Sequence, residues 1–248
     1  MKILQINVWS GRIKDGLSRF IAEGEYDVVC MQEALWGDEC NDFLEEYTDT
    51  VDKIQRLGGF PYVAKASNYG TKTLNGSAKY ELGNAILSKI PFTKVEKRDI
   101  LGEYSVIESV SDHELVKGHG YTAQKVILEN GIAIINHHGY WREDPLGNET
   151  SIESMRRLAD FIKENPRPTI VCGDFNIISE SPAMRELDFL EDLTATNHLK
   201  TTLRNVRFVI DVACDHILIS NDLKCTDFKT VSAPISDHMA LIAEINQK

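Results

Sequence analysis

The stretch Thr169-Ile170-Val171-Cys172-Gly173-Asp174-Phe175-Asn176 joins an apolar run to two polar side chains. The run predicts a strand, and Gly173 lets the backbone turn at its end without a clash from a Cβ atom. Because side chains alternate along an extended chain, Asp174 and Asn176 should lie on the same side. One Asp at a strand end is usually a turn residue or a helix cap, so this stretch indicates function only if other strands end similarly.

Five other strand-like runs begin or end at a polar side chain. These side chains are Asn7 after Ile3–Ile6, Glu33 after Val28–Gln32, Asn136-His137-His138 after Ile132–Ile135, Asp215-His216 before Ile217–Ile219, and Ser236-Asp237-His238 before Met239–Ile245. If the strands belong to two packed sheets, their ends can converge on one edge. The repetition therefore predicts one functional site built from strand ends.

Short runs rich in Val and Ile predict strands throughout the chain. They are Lys2–Val8, Asp27–Gln32, Asn84–Ser88, Thr122–Leu128, Ile132–Asn136, Thr169–Cys172, Asp215–Ile219 and Met239–Ile245. Asn130-Gly131 predicts a hairpin, because both residues tolerate positive φ. The mixture of hairpins and strand–helix alternation favours an α/β protein with mixed sheets over a purely parallel doubly wound sheet.

Helices are predicted between these strands. Ser151–Glu164 has an apolar stripe at helical spacing, and Ser181-Pro182 looks like an N-cap followed by the first helical residue. Asp38–Val51 is a further helix candidate, and the polar Ser67–Lys79 is expected to be a loop near the functional face. No glycine-rich phosphate loop of the dinucleotide or Walker type occurs.

The composition is that of an ordinary globular protein. The chain has 248 residues, of which 42% are hydrophobic and 26% charged, and we expect one domain over residues 1–248. No apolar run approaches the ~20 residues of a membrane helix, and Met1–Trp9 is too polar for a signal peptide. Five cysteines without a C-x-x-C pattern do not suggest a disulfide framework or zinc knuckle. We expect a cytoplasmic monomer without a membrane span.

The net charge of −11 opposes a sequence-independent grip on duplex nucleic acid, which depends on Lys and Arg neutralising phosphates. A nucleic acid is therefore not the favoured partner, although a local basic groove can survive a negative total. A solvated acidic surface is the simpler interpretation.

The oxygen-bearing side chains suit a hard divalent cation. Mg²⁺ and Mn²⁺ prefer carboxylate and amide oxygens, which Asn7, Glu33 and Asp237 offer. Glu33 follows a fully apolar run, where a buried carboxylate needs a partner, and a metal is the simplest one. The histidines would transfer protons or donate hydrogen bonds to a phosphate oxygen.

These motifs resemble the endonuclease/exonuclease/phosphatase superfamily, which has the deoxyribonuclease I-like fold. The resembling motifs, in the family's order, are Gln5–Trp9, Met31–Glu33, Gly83–Ser88, Asn136–His138, Gly173–Asn176, Asp215–Ile217 and Ser236–His238. The resemblance covers essentially the whole chain. It implies an α+β fold, a four-layer αββα sandwich of two mixed β-sheets, with the site at one end of the paired sheets.

The resemblance also implies roles for particular residues. The metal, Mg²⁺ or Mn²⁺, would be held by Asn7, Glu33 and Asp237. The catalytic residues would be His138, Asp174, Asn176, Asp215 and His238. His138 would contact the scissile phosphate, and Asp174 and Asn176 would position or activate the attacking water. Asp215 would orient His238.

The mechanism implied for such a phosphate-ester substrate is in-line attack of water on phosphorus, without a covalent enzyme intermediate. The metal would stabilise charge on the phosphoryl oxygens and on the leaving oxygen. The general base would be Asp174 or His238, and the resemblance does not decide between them.

Several neighbouring residues carry weaker predictions. His137 should point away from His138 if the strand pleat continues. Glu81 could support His138 as a paired carboxylate. Trp141 and Arg142 could stack on a substrate ring and bind a phosphate, but a packed aromatic and a solvated Arg are slightly favoured.

Two other classes of protein compete with this interpretation. Calcineurin-like binuclear phosphoesterases also place Asp, Asn and His at strand ends, but they need an early Asp-x-His and a later Gly-Asn-His, which this sequence lacks. A non-catalytic module on the same fold would have lost key groups, whereas every central group is present.

The substrate stays open within the family. Ala213–Leu218 is similar to the inositol polyphosphate phosphatase motif, but His216 replaces its Arg, and Ile178 stands where another Arg is expected. Both departures remove charge that binds phosphate. The net charge of −11 argues against an abasic-site nuclease.

Overall fold

The computed structural model describes residues 1–13, 16–37, 51–72, 79–107, 120–164, 167–204 and 211–248. In these ranges, thirteen strands form two sheets. The strands are β1 (Lys2–Asn7), β2 (Val28–Gly37), β3 (Tyr62–Lys72), β4 (Lys79–Ser88), β5 (Phe92–Leu101), β6 (Ser105–Ile107), β7 (Tyr121–Leu128), β8 (Ala133–His138), β9 (Thr169–Asp174), β10 (Glu191–Asp192), β11 (Asp215–Ile219), β12 (Leu223–Val231) and β13 (Ala240–Gln247).

Both sheets are mixed. The first has the order β12-β13-β1-β2-β4-β3-β6, and the second has the order β10-β11-β9-β8-β7-β5. In the first, β1 is parallel to β2 and antiparallel to β13. In the second, β9 is parallel to β8 and antiparallel to β11. The predicted pair of mixed sheets is confirmed.

Helices lie outside the two sheets. The α-helices are α1 (Leu17–Glu23), α2 (Val51–Gly58), α3 (Glu149–Lys163) and α4 (Leu193–Thr196), and 3-10 helices cover Trp9–Gly11 and Pro182–Leu187. Among the described residues, no helix combines the length and the apolar character that crossing a membrane requires.

Three apolar clusters define the four layers of the sandwich. Alternation along β1 shows the division, because Ile3 lies in the cluster between the sheets, whereas Leu4 packs with Leu17 of α1 on the outer side. On the outer side of the second sheet, Val171 of β9 packs in a cluster with Leu158 of α3. The layers are therefore helix, sheet, sheet and helix, which confirms the αββα sandwich.

The predicted turn and cap signals are present. Gly131 has φ 84°, and its N–H donates to the carbonyl oxygen of Leu128 in the hairpin between β7 and β8. The Ser181 side chain accepts a hydrogen bond from the backbone N–H of Ala183, as an N-cap does, although the helix that follows is a 3-10 helix.

Several strands lie outside the predicted runs. Strands β5 and β12 are the edges of their sheets and carry many exposed, charged side chains. Such side chains hide the apolar signal of a strand and also discourage pairing with other molecules. Edge position, which depends on tertiary structure, therefore explains why these strands were not predicted.

Two other predictions need comment. The loop prediction for Ser67–Lys79 is wrong where β3 and β4 cover it, because β3 pairs with β4 on one side and β6 on the other. Pairing in the sheet overrides the polar, glycine-containing local sequence, and residues 73–78 lie outside the described residues. For the predicted helix Asp38–Val51, only Val51 is described, and α2 begins there.

Candidate active site

The layer between the sheets is polar at one end. On β1, the apolar Ile3 is followed on the same face by the buried amides Gln5 and Asn7. In the facing sheet, the buried carboxylates Asp174 and Asp215 lie on directly paired positions of β9 and β11. Strand ends from both sheets therefore meet, as the sequence predicted.

Amide side chains of β1 bind these carboxylates across the sandwich. Nε2 of Gln5 donates to Oδ1 of Asp215 over 2.9 Å, and Nδ2 of Asn7 donates to Oδ2 of Asp174 over 2.9 Å. Buried carboxylates need donors, and these come from the opposite sheet. The packing of the two sheets thus sets the position of both acidic groups.

Asn136 on β8 ties the sheets together behind the carboxylates. Its Oδ1 accepts from Nε2 of Gln32 over 2.6 Å, and its Nδ2 donates to the carbonyl oxygens of Met31 and Ala85 over 2.9 and 3.0 Å. Asn136 therefore supports the site from the interior, and His138 at the end of the same strand reaches the opening.

Asp174 lies between two histidines. Its Oδ2 is 3.6 Å from Nε2 of His138 and 3.7 Å from Nε2 of His238, and its Oδ1 accepts from the backbone N–H of Asn176 over 3.0 Å. Burial alone would raise the pKa of Asp174, but His238, His138 and the hydrogen-bond donors hold it below its ordinary value. The carboxylate is therefore ionised between two imidazoles.

His238 is oriented by Asp215. Its Nδ1 lies 2.8 Å from Oδ2 of Asp215, and the hydroxyl of Thr202 donates to the same oxygen over 2.6 Å. Burial would lower the pKa of His238, but the carboxylates of Asp215 and Asp174 raise it to about 10. The imidazole is thus held as a cation whose Nε2–H faces the space beside Asp174.

Unfavourable backbone conformations occur at three positions of this site. Trp9, Glu33 and Asn176 have φ of 46°, 49° and 57°, in the left-handed region that residues with a Cβ rarely adopt. The backbone N–H of Trp9 donates to Oδ1 of Asn7 over 3.0 Å, which holds one of these turns. Such strain is concentrated at functional sites, where the surrounding structure enforces it.

The loops after β8 and β9 touch through their backbones. A Cβ atom on Gly139 would lie 2.4 Å from the carbonyl oxygen of Phe175, so only glycine fits there. Nδ2 of Asn176 also donates to the carbonyl oxygen of Gly139 over 3.1 Å. This contact brings His138 and Asn176 to the same opening.

The residues predicted to hold a metal fit a divalent cation. Nδ2 of Asn7 donates to Oε1 of Glu33 over 3.1 Å, which places the two side chains together. Burial, and then the repulsion of Glu33, raise the pKa of Asp237. Neither carboxylate has an ion pair with a Lys, Arg or His in the described part of the chain. Two hard oxygen ligands whose negative charge is offset only in part, by the nearby His238, suit Mg²⁺ or Mn²⁺.

A second group of side chains has the residue types of a softer metal site. Ligand atoms of Asp174, Cys214 and His238 lie within 4.8 Å of one another. Burial raises the pKa of the Cys214 thiol, and His238 is a cation bound to Asp215. A thiol and a protonated imidazole are not metal ligands, so this group does not replace the oxygen-rich one.

His137 faces away from His138, as predicted. It lies fully buried beside Phe175, and burial lowers its pKa to about 3.

Glu81 accepts a hydrogen bond from the hydroxyl of Tyr104. Trp141 is 52% exposed, so the favoured interpretation of a packed aromatic is wrong for this residue.

Two further residues, Gln5 and Thr202, bind Asp215 although no role was predicted for them. The alternation of Ile3, Gln5 and Asn7 on β1 was the signal that could have placed Gln5 at the site. Thr202 lies in an irregular segment, and its contact with Asp215 arises only in three dimensions. No local pattern marks such a residue.

The fold and this site define a class of protein, the sandwiches with the deoxyribonuclease I-like fold. A model described as the endonuclease/exonuclease/phosphatase family matches residues 4–238, and the chain belongs to that family of phosphoester hydrolases. The match decides against the calcineurin-like alternative. A search of curated proteins gave no match.

Solved structures share the fold at low sequence identity. An endonuclease/exonuclease/phosphatase from Beutenbergia cavernae is 13% identical with a TM-score of 0.75, over 100% of this chain and 71% of that one. The human Nocturnin catalytic domain is 15% identical with a TM-score of 0.67, over 100% and 93% of the two chains. A mannosyl-6-phosphatase from Bacteroides thetaiotaomicron is 14% identical with a TM-score of 0.61, over 99% of each.

Proposed function

We propose that this protein hydrolyses phosphate esters, with Mg²⁺ or Mn²⁺, by direct attack of water on phosphorus. The observation that carries the proposal is the position of Asp174, held between His138 and His238 beside the oxygen ligands of Glu33 and Asp237. An ionised carboxylate, two imidazoles and a cation site together offer what in-line phosphoryl transfer to water requires.

The metal would be held by Asn7, Glu33 and Asp237, which fit it by donor type and by charge. When bound, it supplies a positive charge that stabilises the phosphoryl and leaving oxygens. Asn7 also donates to Asp174, so it links the metal-binding carboxylates to the group beside the water.

The histidines would bind the phosphate. His238 has Nδ1 occupied by Asp215, so its Nε2–H is the donor left for a phosphoryl oxygen. His138 approaches Asp174 through its own Nε2 and would contact another oxygen of the same phosphate. Two fixed donors pre-organise the site for the charge that develops in the transition state.

Asp174 is the better candidate for the general base. It is a carboxylate without a proton, whereas His238 is held as a donor by Asp215. Asn176 fixes Asp174 through its backbone N–H and lies on the strained turn that ends the strand. As the water attacks phosphorus, its proton would pass to Asp174, and the leaving oxygen would depart on the opposite side.

The size of the catalytic unit and its substrate are also proposals. Strands from β1 to β13 interleave within the first sheet, which supports one domain over residues 1–248.

The sulfate bound to Nocturnin and the sugar phosphate named for the Bacteroides enzyme suggest a phosphate group as the shared recognition element. With a net charge of −11, we favour a small or lipid phosphate ester over a nucleic acid.

The test uses purified protein stripped of metal. Hydrolysis of bis-(p-nitrophenyl) phosphate and p-nitrophenyl phosphate should require added Mg²⁺ or Mn²⁺ and should be lost in Glu33→Gln. The matched control is Glu129→Gln, an exposed carboxylate in the turn at the other end of β8. Full activity without metal, or equal metal dependence in both variants, would contradict the metal assignment. Absence of hydrolysis for every phosphate ester screened would favour a non-catalytic module.

A further inference from the structure

His216 follows Asp215 on β11 but faces away from the candidate active site. It is fully buried, and both ring nitrogens have partners. Nδ1 lies 3.1 Å from Oδ2 of Asp192, and Nε2 lies 2.9 Å from the carbonyl oxygen of Ile177. The ring also stacks on Phe175, with ring centres 5.2 Å apart and planes 13° apart.

The partners of His216 determine its proton count. The carbonyl oxygen of Ile177 can only accept, so Nε2 must carry a hydrogen. Asp192 accepts from the hydroxyl of Ser179 and the backbone N–H of Thr194, as an ionised carboxylate does. Nδ1 must therefore donate as well. A ring that donates from both nitrogens is an imidazolium, and it forms a buried ion pair with Asp192.

These partners belong to the segment that carries the proposed catalytic groups. Phe175, Ile177 and Ser179 contact the His216–Asp192 pair, whereas Asp174 and Asn176 face the site. Because the two sets alternate along the chain, the ion pair holds one side of the segment and thereby fixes the other. Asn176 itself has a left-handed φ of 57°, a conformation that Asn tolerates better than most residues with a Cβ, and the ion pair holds the chain on the other side of this turn.

We propose that His216 is a positioning residue: as a double donor between Asp192 and Ile177, its imidazolium fixes the turn that carries Asp174 and Asn176. Loss of one ring proton would leave a neutral ring with a single N–H, so either Asp192 or the carbonyl oxygen of Ile177 would lose its donor. The turn would then be held at one point fewer, and Asp174 would be less well placed. This inference rests on the proposed function only for its effect on catalysis.

The charges around the ring determine when that proton leaves. Among the described residues, the charged groups that face His216 are Asp192 at the start of α4 and Asp215 on its own strand. Burial alone would lower the pKa of His216, but these carboxylates and the two acceptors raise it above 6.5. The ring therefore keeps its second proton to a higher pH than a free histidine does, and the cation is lost as the pH rises further.

The experiment measures the ring directly. Nitrogen-15 NMR of histidine-labelled protein, with the His216 signals assigned by His216→Gln, should show both ring nitrogens protonated at neutral pH. As the pH rises, loss of one proton should coincide with a change in the backbone amide signals of Asn176 and Ile177. A singly protonated ring at neutral pH would overturn the proposal, as would deprotonation that leaves both amide signals unchanged.

The conservative variant Asp192→Asn separates positioning from bulk stability. It should move the deprotonation of His216 to lower pH, and the Asn176 amide change should move with it. At mildly alkaline pH, kcat for a phosphodiester should fall roughly tenfold, and KM should change little. A tenfold loss is at the lower end of the effects seen when a residue that orients an active-site group is removed. Asp188→Asn, which changes an exposed carboxylate four residues before Asp192, should behave as wild type.

If Asp192→Asn moves the His216 titration but leaves the Asn176 amide and kcat as in wild type, His216 is structural only and the proposal is wrong. If the wild-type protein hydrolyses no phosphate ester, the proposed function fails. The NMR titrations of wild type and Asp192→Asn still decide whether His216 fixes the turn.

Discussion

The Nδ1 atom of His238 lies 2.8 Å from Oδ2 of Asp215, although the two residues are 23 positions apart. Asp215 begins β11 in the second sheet, and His238 lies two residues before β13 of the first. The orientation of the imidazole therefore depends on how the two sheets pack. A change in that packing would reach the proposed chemistry through this hydrogen bond.

Removal of the proposed catalytic groups should have graded effects. His238→Ala and Asp174→Ala should each lower turnover at least ~100-fold, the lower end for a lost general acid or base. Asp215→Asn should cost less, because it removes charge and orientation but leaves the imidazole that would contact phosphate. Kinetics at saturating metal with one phosphodiester would measure the order. Near-wild-type turnover of His238→Ala would contradict the proposed site.

Thr202 should support Asp215. Its hydroxyl donates to Oδ2 of Asp215 and accepts from the backbone N–H of the same residue over 3.1 Å. Thr202→Val keeps the shape but removes one donor from a buried carboxylate, at a cost of about 1–3 kcal/mol. We expect lower stability in urea and a loss of turnover smaller than in Asp215→Asn. Thr226→Val, exposed on edge strand β12, is the control, and equal effects in both variants would argue against this role.

The sequence predicted which side chains would meet where polar residues border the strand pattern. Asp174, Asp215 and His238 each border an apolar run, and alternation within a strand is a local property that needs no tertiary information. Their convergence required only that the strands form two packed sheets. This is why the meeting of these side chains and the layered fold could be predicted together.

Other features depend on contacts between distant segments. The edge strands β5 and β12 lack an apolar pattern because one side of each faces solvent. Thr202 and the His216–Asp192 pair act through partners that the folded chain brings together. Left-handed backbone at Glu33 could not be predicted either, because glutamate has no preference for it and the bulge in β2 imposes it.

Substitution of Asp237 should have opposite effects on stability in the metal-free and the metal-bound protein. Burial and the repulsion of Glu33 disfavour its charge in the metal-free protein. Asp237→Asn should therefore stabilise the metal-free protein and raise its melting temperature, by roughly 2–4 °C for each 1 kcal/mol gained in a chain of this size. Added Mg²⁺ should raise the melting temperature of wild type but not that of the variant, because the ligand is lost. A melting curve for each protein with and without Mg²⁺ tests both signs. An equal Mg²⁺ response would contradict the ligand assignment.

His137 should make the protein sensitive to mild acid. Burial lowers its pKa to about 3, whereas an unfolded histidine titrates near 6.5. Below 6.5, the unfolded chain therefore binds a proton that the native state does not. The stability that His137 contributes is fully present above pH 6.5. It is lost by about 1.4 kcal/mol per pH unit as the pH falls from 6.5 towards 3.

His137→Leu should remove this dependence. The carbonyl oxygen of Thr122, which His137 approaches over 3.4 Å, keeps the donor Nδ2 of Asn84 at 2.6 Å, so the variant leaves no new unpaired acceptor. The difference in free energy of unfolding, variant minus wild type, should be roughly 2 kcal/mol larger at about pH 5 than above pH 6.5. Urea unfolding of both proteins across this range, with exposed His198→Asn as the control for removing a histidine, measures the difference. Parallel pH curves for wild type and His137→Leu would show that folding does not lower the pKa of His137.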